Sequence, residues 1–168
     1  MKDTIYLAEQ AKIVGGCQNG LSQLNKAKTE QDLVNCYFSN IDFCLAKNFP
    51  GNEYLKRSGN TLISEMVFVD YQRIFKNPEK LVLLGKCDCN VELTDYSVSR
   101  IYVKHDSKLI IKASGNAFVV VDALDNSNVQ VERTENARVI VNTYSKAICT
   151  GATKIIAKNA ETYDLHPI

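Results

Sequence analysis

The second half of the chain repeats itself every ten residues. Small residues recur at this spacing six times in succession, at Ser97, Ser107, Ala117, Ser127, Ala137 and Ala147. Mostly branched apolar residues follow two and four positions after each small residue, as Val119 and Val121 follow Ala117. A fixed internal period is typical of architectures built from stacked repeats. The repeat therefore constrains the shape of the chain strongly and its chemistry very little.

Within each repeat, parity separates an apolar side from a mixed side. The small residue and the positions two and four after it have the same parity, so on a strand they point to the same face. This face is apolar and is predicted to be buried. The intervening positions are mixed, as at Lys108, Ile110 and Lys112, and are predicted to point outward. Asp, Asn and Gly residues between the strands, such as Asp125-Asn126, favour turns.

One ten-residue unit cannot enclose a core, because a strand and a turn already use all of it. Two units per coil, about twenty residues, can enclose one. The prediction is an α+β fold in which a small N-terminal helical domain precedes a short parallel β-solenoid with two facing sheets. The alternative is an antiparallel β-meander with one strand per unit. Parallel stacking is favoured because it places each residue beside the equivalent residue twenty positions earlier. This explains why the same kind of residue recurs at the same position of each unit.

The apolar spacing changes near residue 66, from three and four residues to two. Helices are predicted from Asp3 to Val14, after Gly20, over 30–47 with Thr29 as N-cap, and after Asn52. Strands are also predicted at 67–69, at 81–84 where the repeat region begins, and at 154–157. The predicted domains are a helical head or cap over 1–66, a β-solenoid over 67–160 and a loose C-terminal tail over 161–168.

Composition excludes several classes of partner. The chain has 168 residues, is 45% hydrophobic and 23% charged, and has a net charge of +1. These values are ordinary for a folded protein and give no electrostatic case for nucleic acid or membrane binding. No segment has the pattern of a signal peptide or the length of a membrane span. Without a secretion signal, the six cysteines are expected to be reduced in a cytoplasm.

Two units per coil place alternate units on opposite outer faces. One face is then mostly polar, whereas the other carries a contiguous apolar patch. The predicted interaction surface consists of five residues on that second face: Val98, Tyr102, Phe118, Val120 and Ile140. Exposed apolar patches usually mark contact surfaces. Three occupants remain open, namely the helical head, a second copy in a homodimer, and a foreign protein partner.

No cluster of residues indicates catalysis or a cofactor. Cys87 and Cys89 point inward on one strand and have no further ligands at the usual metal spacing, so they are interpreted as core residues. His105 lies beside a turn and forms no recognisable triad. Asp122 and Glu132 belong to adjacent units, hence to opposite faces, and cannot act as a carboxylate pair. The sequence therefore predicts no enzyme, no metal site and no cofactor.

Two segments carry a family resemblance. They are Asn40–Pro50 in the helical head and Ala113–Ala117 in the solenoid. In this arrangement the chain resembles a group of small uncharacterised proteins from gut Bacteroidales, their phages and mobile elements. The resemblance covers most of the chain, but its motifs are architectural and bring no catalytic residues with them. It implies a bacterial or phage-infected cytoplasm and a role in phage–host interaction.

The sequence thus predicts a non-enzymatic protein-interaction module. A solenoid exposes unpaired strand edges at its ends, and the helical head is expected to cap one of them. A mobile-element protein of this kind would act on a host protein. Two alternatives remain: a spike-like phage structural component, which would be a trimer, and a minimal β-helix enzyme acting on a glycan, which would need a groove lined by acids and aromatics.

Overall fold

The computed structural model describes residues 2–57 and 66–165, which form two compact units. The first unit contains five helices: α1 (Lys2–Ile13), α2 (Gln18–Lys26), α3 (Glu30–Ser39), α4 (Ile41–Lys47) and α5 (Asn52–Arg57). The second contains the strands β1 (Val67–Val69), β2 (Gln72–Lys76), β3 (Lys80–Leu84), β4 (Asp88–Leu93), β5 (Val98–Val103), β6 (Lys108–Ala113), β7 (Phe118–Ala123), β8 (Asn128–Arg133), β9 (Arg138–Thr143), β10 (Ile148–Thr150) and β11 (Lys154–Ala157).

The helical unit differs from its prediction at Asn40. A single helix was predicted over 30–47, but α3 ends at Ser39 and α4 begins at Ile41. The Asn40 side-chain amide donates to the carbonyl of Cys36 at 2.8 Å and to Oε1 of Gln23 at 3.0 Å. An asparagine that bonds nearby groups in this way competes with the helical ladder. The predicted N-cap is confirmed, since the Thr29 hydroxyl accepts from the backbone N–H of Asp32 at 3.1 Å.

The second unit is a parallel β-solenoid of roughly four turns. Sheet 1 has the order β1-β3-β5-β7-β9-β11, and sheet 2 has the order β10-β8-β6-β4-β2. Every strand pair in the described part of the chain is parallel, and Ser99, Val119 and Val139 are aligned at twenty-residue steps. The prediction of two units per coil is confirmed, and the antiparallel meander is wrong.

The core of the solenoid lies between the two sheets. Inward side chains from both sheets are almost completely buried, among them Leu81, Leu93, Ile101, Leu109, Ile111, Val119, Val121, Val129, Val139 and Val141. The small residues Ser107, Ala117, Ser127 and Ala137 are buried beside them. Three of these small residues close their turns: the N–H of Ala117 donates to the carbonyl of Ser114, that of Ser127 to Leu124 and that of Ala137 to Thr134.

The corners of the coil keep the ten-residue step in their backbone conformation. Positive φ values recur at Gly85, Asp95, His105, Gly115, Asp125, Glu135 and Ser145. This left-handed conformation is tolerated best by Gly, Asn and Asp, which explains the turn-rich composition between the strands. A second constraint favours glycine at position 115, because a Cβ there would lie 2.9 Å from the backbone nitrogen of Asp95 in the preceding coil.

The first coil departs from the ten-residue rule. The strand β2 was not predicted, because only Phe75 among its five residues is buried. Arg73 occupies a position of this strand that is inward by parity, but its guanidinium stacks over the Phe75 ring, 5.5 Å from the centroid, instead of joining the core. The strands predicted at 67–69, 81–84 and 154–157 are present, the second beginning at Lys80.

The boundaries of the two units lie close to the predicted domain boundaries. The solenoid unit extends to Thr162, and residues 163–165 are grouped with the helices. Residues 58–65 of the predicted head and 166–168 of the predicted tail lie outside the described residues.

Candidate interaction surface

The outer face of sheet 1 places four of the five predicted surface residues in two neighbouring rows. Val98 on β5 is aligned with Phe118 on β7, and Val120 on β7 is aligned with Ile140 on β9. Phe118 and Val120 lie two positions apart on one strand, so they point to the same side. The four side chains are therefore neighbours. We call this set, Val98, Phe118, Val120 and Ile140, the apolar patch.

The apolar patch is most exposed to solvent at the first residues of β5 and β7. Val98 is 65% exposed and Phe118 is 38% exposed, whereas Val120 and Ile140 are half-buried. Large apolar side chains with this exposure leave much of their area in contact with water. The patch thus offers an aromatic ring and an aliphatic side chain side by side on an ordered strand framework.

Tyr102 is not on the exposed part of this face. It has the outward parity that was expected, but it is only 9% exposed. The Arg100 guanidinium stacks over its ring, 5.2 Å from the centroid. Tyr102 therefore packs under Arg100 beside the patch, and its ring is not accessible to a partner.

A buried carboxylate lies beside Tyr102. Asp122, aligned with Tyr102 on the neighbouring strand, is 1% exposed. Its two oxygens accept hydrogen bonds from the Arg100 guanidinium and from the Asn142 amide, each at 2.6 Å. A buried charge is tolerated only when it is paired and hydrogen-bonded. Burial and the Asp122 charge raise the pKa of the nearby Tyr144 hydroxyl.

Basic side chains surround the apolar patch on sheet 1. One row across the sheet contains Lys80, Arg100, Val120, Ile140 and Lys154 in that order. The other row ends with Arg138, which is aligned with Phe118 and exposed. The nearby carboxylate of Asp122 is buried and already paired with Arg100. Next to the patch, Arg138 and Lys154 are exposed and basic, and the exposed acidic Glu135 lies in the same surface groove as Phe118 and Arg138.

Tyr96 is an exposed aromatic residue that was not predicted as part of this surface. It lies in the turn immediately before β5 and is 79% exposed, two residues from Val98. A signal was present, because the equivalent positions in later units are Asn116 and Asn136. An aromatic residue where other repeats carry a turn residue is a departure that local structure does not require.

The cysteine pair lies in the solenoid core. Cys87 and Cys89 are each 1% exposed and belong to the main core cluster. The Cys87 thiol donates to the carbonyl of Leu84 at 3.2 Å, and the Cys89 thiol donates to that of Tyr71 at 3.4 Å. The pKa of the Cys89 thiol is raised, first by its hydrogen bond with Cys87 and then by burial. Within residues 2–57 and 66–165, no three His, Cys, Asp or Glu side chains are grouped so as to hold a metal ion.

The remaining titratable candidates lie apart from one another. Asp122 is on sheet 1 and Glu132 is on sheet 2, as the coil model requires. His105 occupies a left-handed corner position, where its Nδ1 accepts from the N–H of Gly85 at 2.9 Å. Burial, followed by the Lys104 charge, lowers the pKa of His105 and favours the neutral imidazole. This hydrogen bond links successive corners of the coil, which gives His105 a structural role.

The helical unit contains an apolar cavity that the sequence did not reveal. Its volume is about 60 Å³, and Leu7, Leu24, Leu33, Cys36 and Phe49 are among the residues that line it. Ligand pockets are usually several times larger, at about 300–1,000 Å³. The cavity therefore gives no argument for a bound ligand.

Comparisons with known proteins add no family assignment. Neither a protein-family model, nor a curated protein, nor a solved structure matches the chain. Among the described residues, no helix combines the length and the hydropathy that crossing a membrane would need.

Proposed function

We propose that the chain is a non-enzymatic protein-interaction module whose partner binds to the apolar patch on sheet 1. The observation that carries this proposal is the exposure of Val98 and Phe118 on adjacent parallel strands. Strands held in register by a packed core cannot turn these side chains inward. Contact with a partner would remove their apolar area from water, which favours association by about 25 cal/mol per Å².

The surroundings of the patch favour a partner with acidic residues. Arg138 and Lys154 lie beside Phe118 and Ile140, and Arg100 lies beside Val120. Complementary charge at the rim of an interface speeds association and selects among partners. An acidic protein surface with apolar side chains at its centre fits this arrangement, and Tyr96 extends the contact area at the corner.

The setting of this function is proposed to be a bacterial or phage-infected cytoplasm, with a host protein as partner. The resemblance to proteins of gut Bacteroidales and their mobile elements supports this choice. The six cysteines are free thiols, two of them buried in the solenoid core, and thiols of this kind suit a reducing compartment.

Replacement of Phe118 by aspartate tests the proposal. The substitution places a carboxylate at the centre of the patch, and we expect it to weaken partner binding about 30-fold or more, as for an aromatic hot spot. Tagged wild-type and Phe118→Asp proteins would be used to capture partners from a bacterial lysate. The affinity of each captured protein would then be measured with purified components by calorimetry.

Ile148→Asp is the matched control for this experiment. Ile148 is 57% exposed at the start of a strand in sheet 2, so the same change of chemistry is made on the opposite face. This control is expected to keep the affinity of the wild-type protein. A specific partner that binds Phe118→Asp as tightly as the wild type, or failure to capture any partner whose binding depends on Phe118, contradicts the proposal.

A further inference from the structure

The outer face of sheet 2 carries a row of alternating charges. Lys76, Glu92, Lys112 and Glu132 are aligned across β2, β4, β6 and β8. Their side chains are partly or largely exposed, and two ion pairs join them along the row. The Nζ of Lys76 lies 3.8 Å from Glu92, and the Nζ of Lys112 lies 3.9 Å from Glu132.

A second row on the same face also carries opposite charges on neighbouring strands. It contains Gln72, Asp88, Lys108 and Asn128 on the same four strands, and it continues onto the fifth strand, β10, with the exposed Ile148. The two central strands carry opposite charges, whereas the two outer strands carry neutral amides. The row between these two, Ile74, Asn90, Ile110 and Gln130, has no charge.

Over the four strands β2, β4, β6 and β8, these rows are complementary to themselves when the order of the strands is reversed, and β10 lies outside this symmetric part of the sheet. A two-fold axis parallel to the strands, between β4 and β6, places each row opposite the same row of a second copy. Glu92 then faces Lys112, and Lys76 faces Glu132. In the second row Asp88 faces Lys108, so every charge in both rows meets an opposite charge.

We propose that the outer face of sheet 2 binds the same face of a second copy of this chain. The proposal uses the face opposite the apolar patch and does not depend on the partner proposed there. An isologous contact requires a surface that is complementary to itself. The alternation of charge from strand to strand supplies that property in two separate rows.

The size of the face indicates a weak dimer. Four strands spaced about 4.8 Å apart, with five residues each rising about 3.3 Å, cover about 300–400 Å² per copy with their side-chain margins. Stable interfaces bury about 1,200–2,000 Å² in total, so this contact, at about 600–800 Å² in total, lies below that range and corresponds to a weak, transient association. Its charges are exposed, and their attraction is expected to weaken as salt shortens the screening length.

Charge reversal separates contacts between copies from contacts within one chain. Lys112→Glu and Glu92→Lys each create two like-charge neighbours within the row of one chain. The double exchange Glu92→Lys/Lys112→Glu also creates two, because position 92 then has the same charge as Lys76, and position 112 has the same charge as Glu132. Apart from net charge, which the control below addresses, only the proposed dimer distinguishes the double exchange from the single variants, since it makes positions 92 and 112 of opposite copies complementary again.

Sedimentation velocity over a concentration series tests this directly. At about 10 mM salt, where the screening length is about 30 Å, we expect the wild-type protein to dimerise in a concentration-dependent manner. Each single reversal is expected to reduce association at least about 10-fold, and the double exchange to restore most of it. Raising the salt to about 1 M, where the screening length is about 3 Å, is expected to abolish the dimer.

Lys146→Glu is the control for net charge, because it is an exposed reversal at a corner outside the face. It is expected to leave the dimer intact. Circular dichroism of each variant establishes that the solenoid is folded. A wild-type chain that stays monomeric up to about 1 mM at low salt, the range of very weak complexes, overturns the proposal. It is also overturned by a double exchange that associates no better than the single variants, or by a dimer that the single reversals leave unchanged.

Discussion

Replacing Ile111 by alanine is expected to lower the free energy of unfolding by about 2–5 kcal/mol. Ile111 is 0% exposed and lies in the main core cluster between the sheets. The truncation removes buried methyl and methylene groups and leaves a cavity that neighbouring strands, fixed by their hydrogen bonds, cannot close. Urea denaturation followed by circular dichroism measures the change.

The preceding residue provides a matched control. Ile110 has the same side chain but points outward from sheet 2 and is half-buried. We expect Ile110→Ala to cost about 1 kcal/mol or less, because little apolar area is removed from a packed environment. Equal losses at 110 and 111, or a larger loss at 110, would contradict the inward and outward assignment of the repeat.

Replacing Arg100 by methionine is expected to cost about 3 kcal/mol of stability. The substitution keeps an unbranched side chain over Tyr102 but removes the cation that pairs with Asp122. The Asp122 carboxylate is 1% exposed and still accepts a hydrogen bond from the Asn142 amide. A buried charge without its counter-ion is far more costly than the loss of a surface ion pair. Arg138→Met, an exposed change in the adjacent row, is expected to stay within about 0.5 kcal/mol of the wild type.

A double-mutant cycle identifies the cause of this loss. Asp122→Asn keeps a group that can accept from Asn142 and removes the buried charge. In that background Arg100→Met is expected to cost only about 1 kcal/mol, and the difference between the two costs is the coupling energy. An unchanged cost of Arg100→Met in the Asp122→Asn background would show that packing on Tyr102, rather than charge, stabilises this region.

The solenoid could be predicted from the sequence because its regularity is local and repeated. Parity within a strand assigns Ile110 and Ile111 to opposite sides, and repetition over six units makes the assignment robust. The same regularity favoured parallel stacking over the meander, and the observed register of Val119 beside Val139 decides between them. Where the repeat lapses, at β2, the prediction failed, because Arg73 occupies an inward position and is stabilised by the ring of Phe75.

The candidate surface could be predicted only in part. Parity states on which side of a sheet a side chain lies, but not how much of it meets solvent. Tyr102 and Phe118 have the same parity, yet Arg100 covers the first ring, while the second stays accessible. The break at Asn40 was missed for a related reason, since it depends on a contact with Gln23, seventeen residues earlier in the chain.

The two outer faces of the solenoid differ in the kind of recognition that they favour. Sheet 1 presents Val98 and Phe118 beside basic residues, which suits an acidic partner with an apolar centre. Sheet 2 presents charges of alternating sign, which suits a copy of itself. A core shared by both sheets fixes the two faces back to back, so binding at one does not require rearrangement of the other.

Side-chain footprinting by hydroxyl radicals, with and without a bound partner, tests the central claim most directly. We expect the partner to suppress labelling of Tyr96, Val98 and Phe118 on the sheet 1 side, while Ile148 on sheet 2 stays labelled at its free rate. Suppression of Ile148 labelling with Tyr96, Val98 and Phe118 unchanged would contradict the assignment of the partner site to the apolar patch.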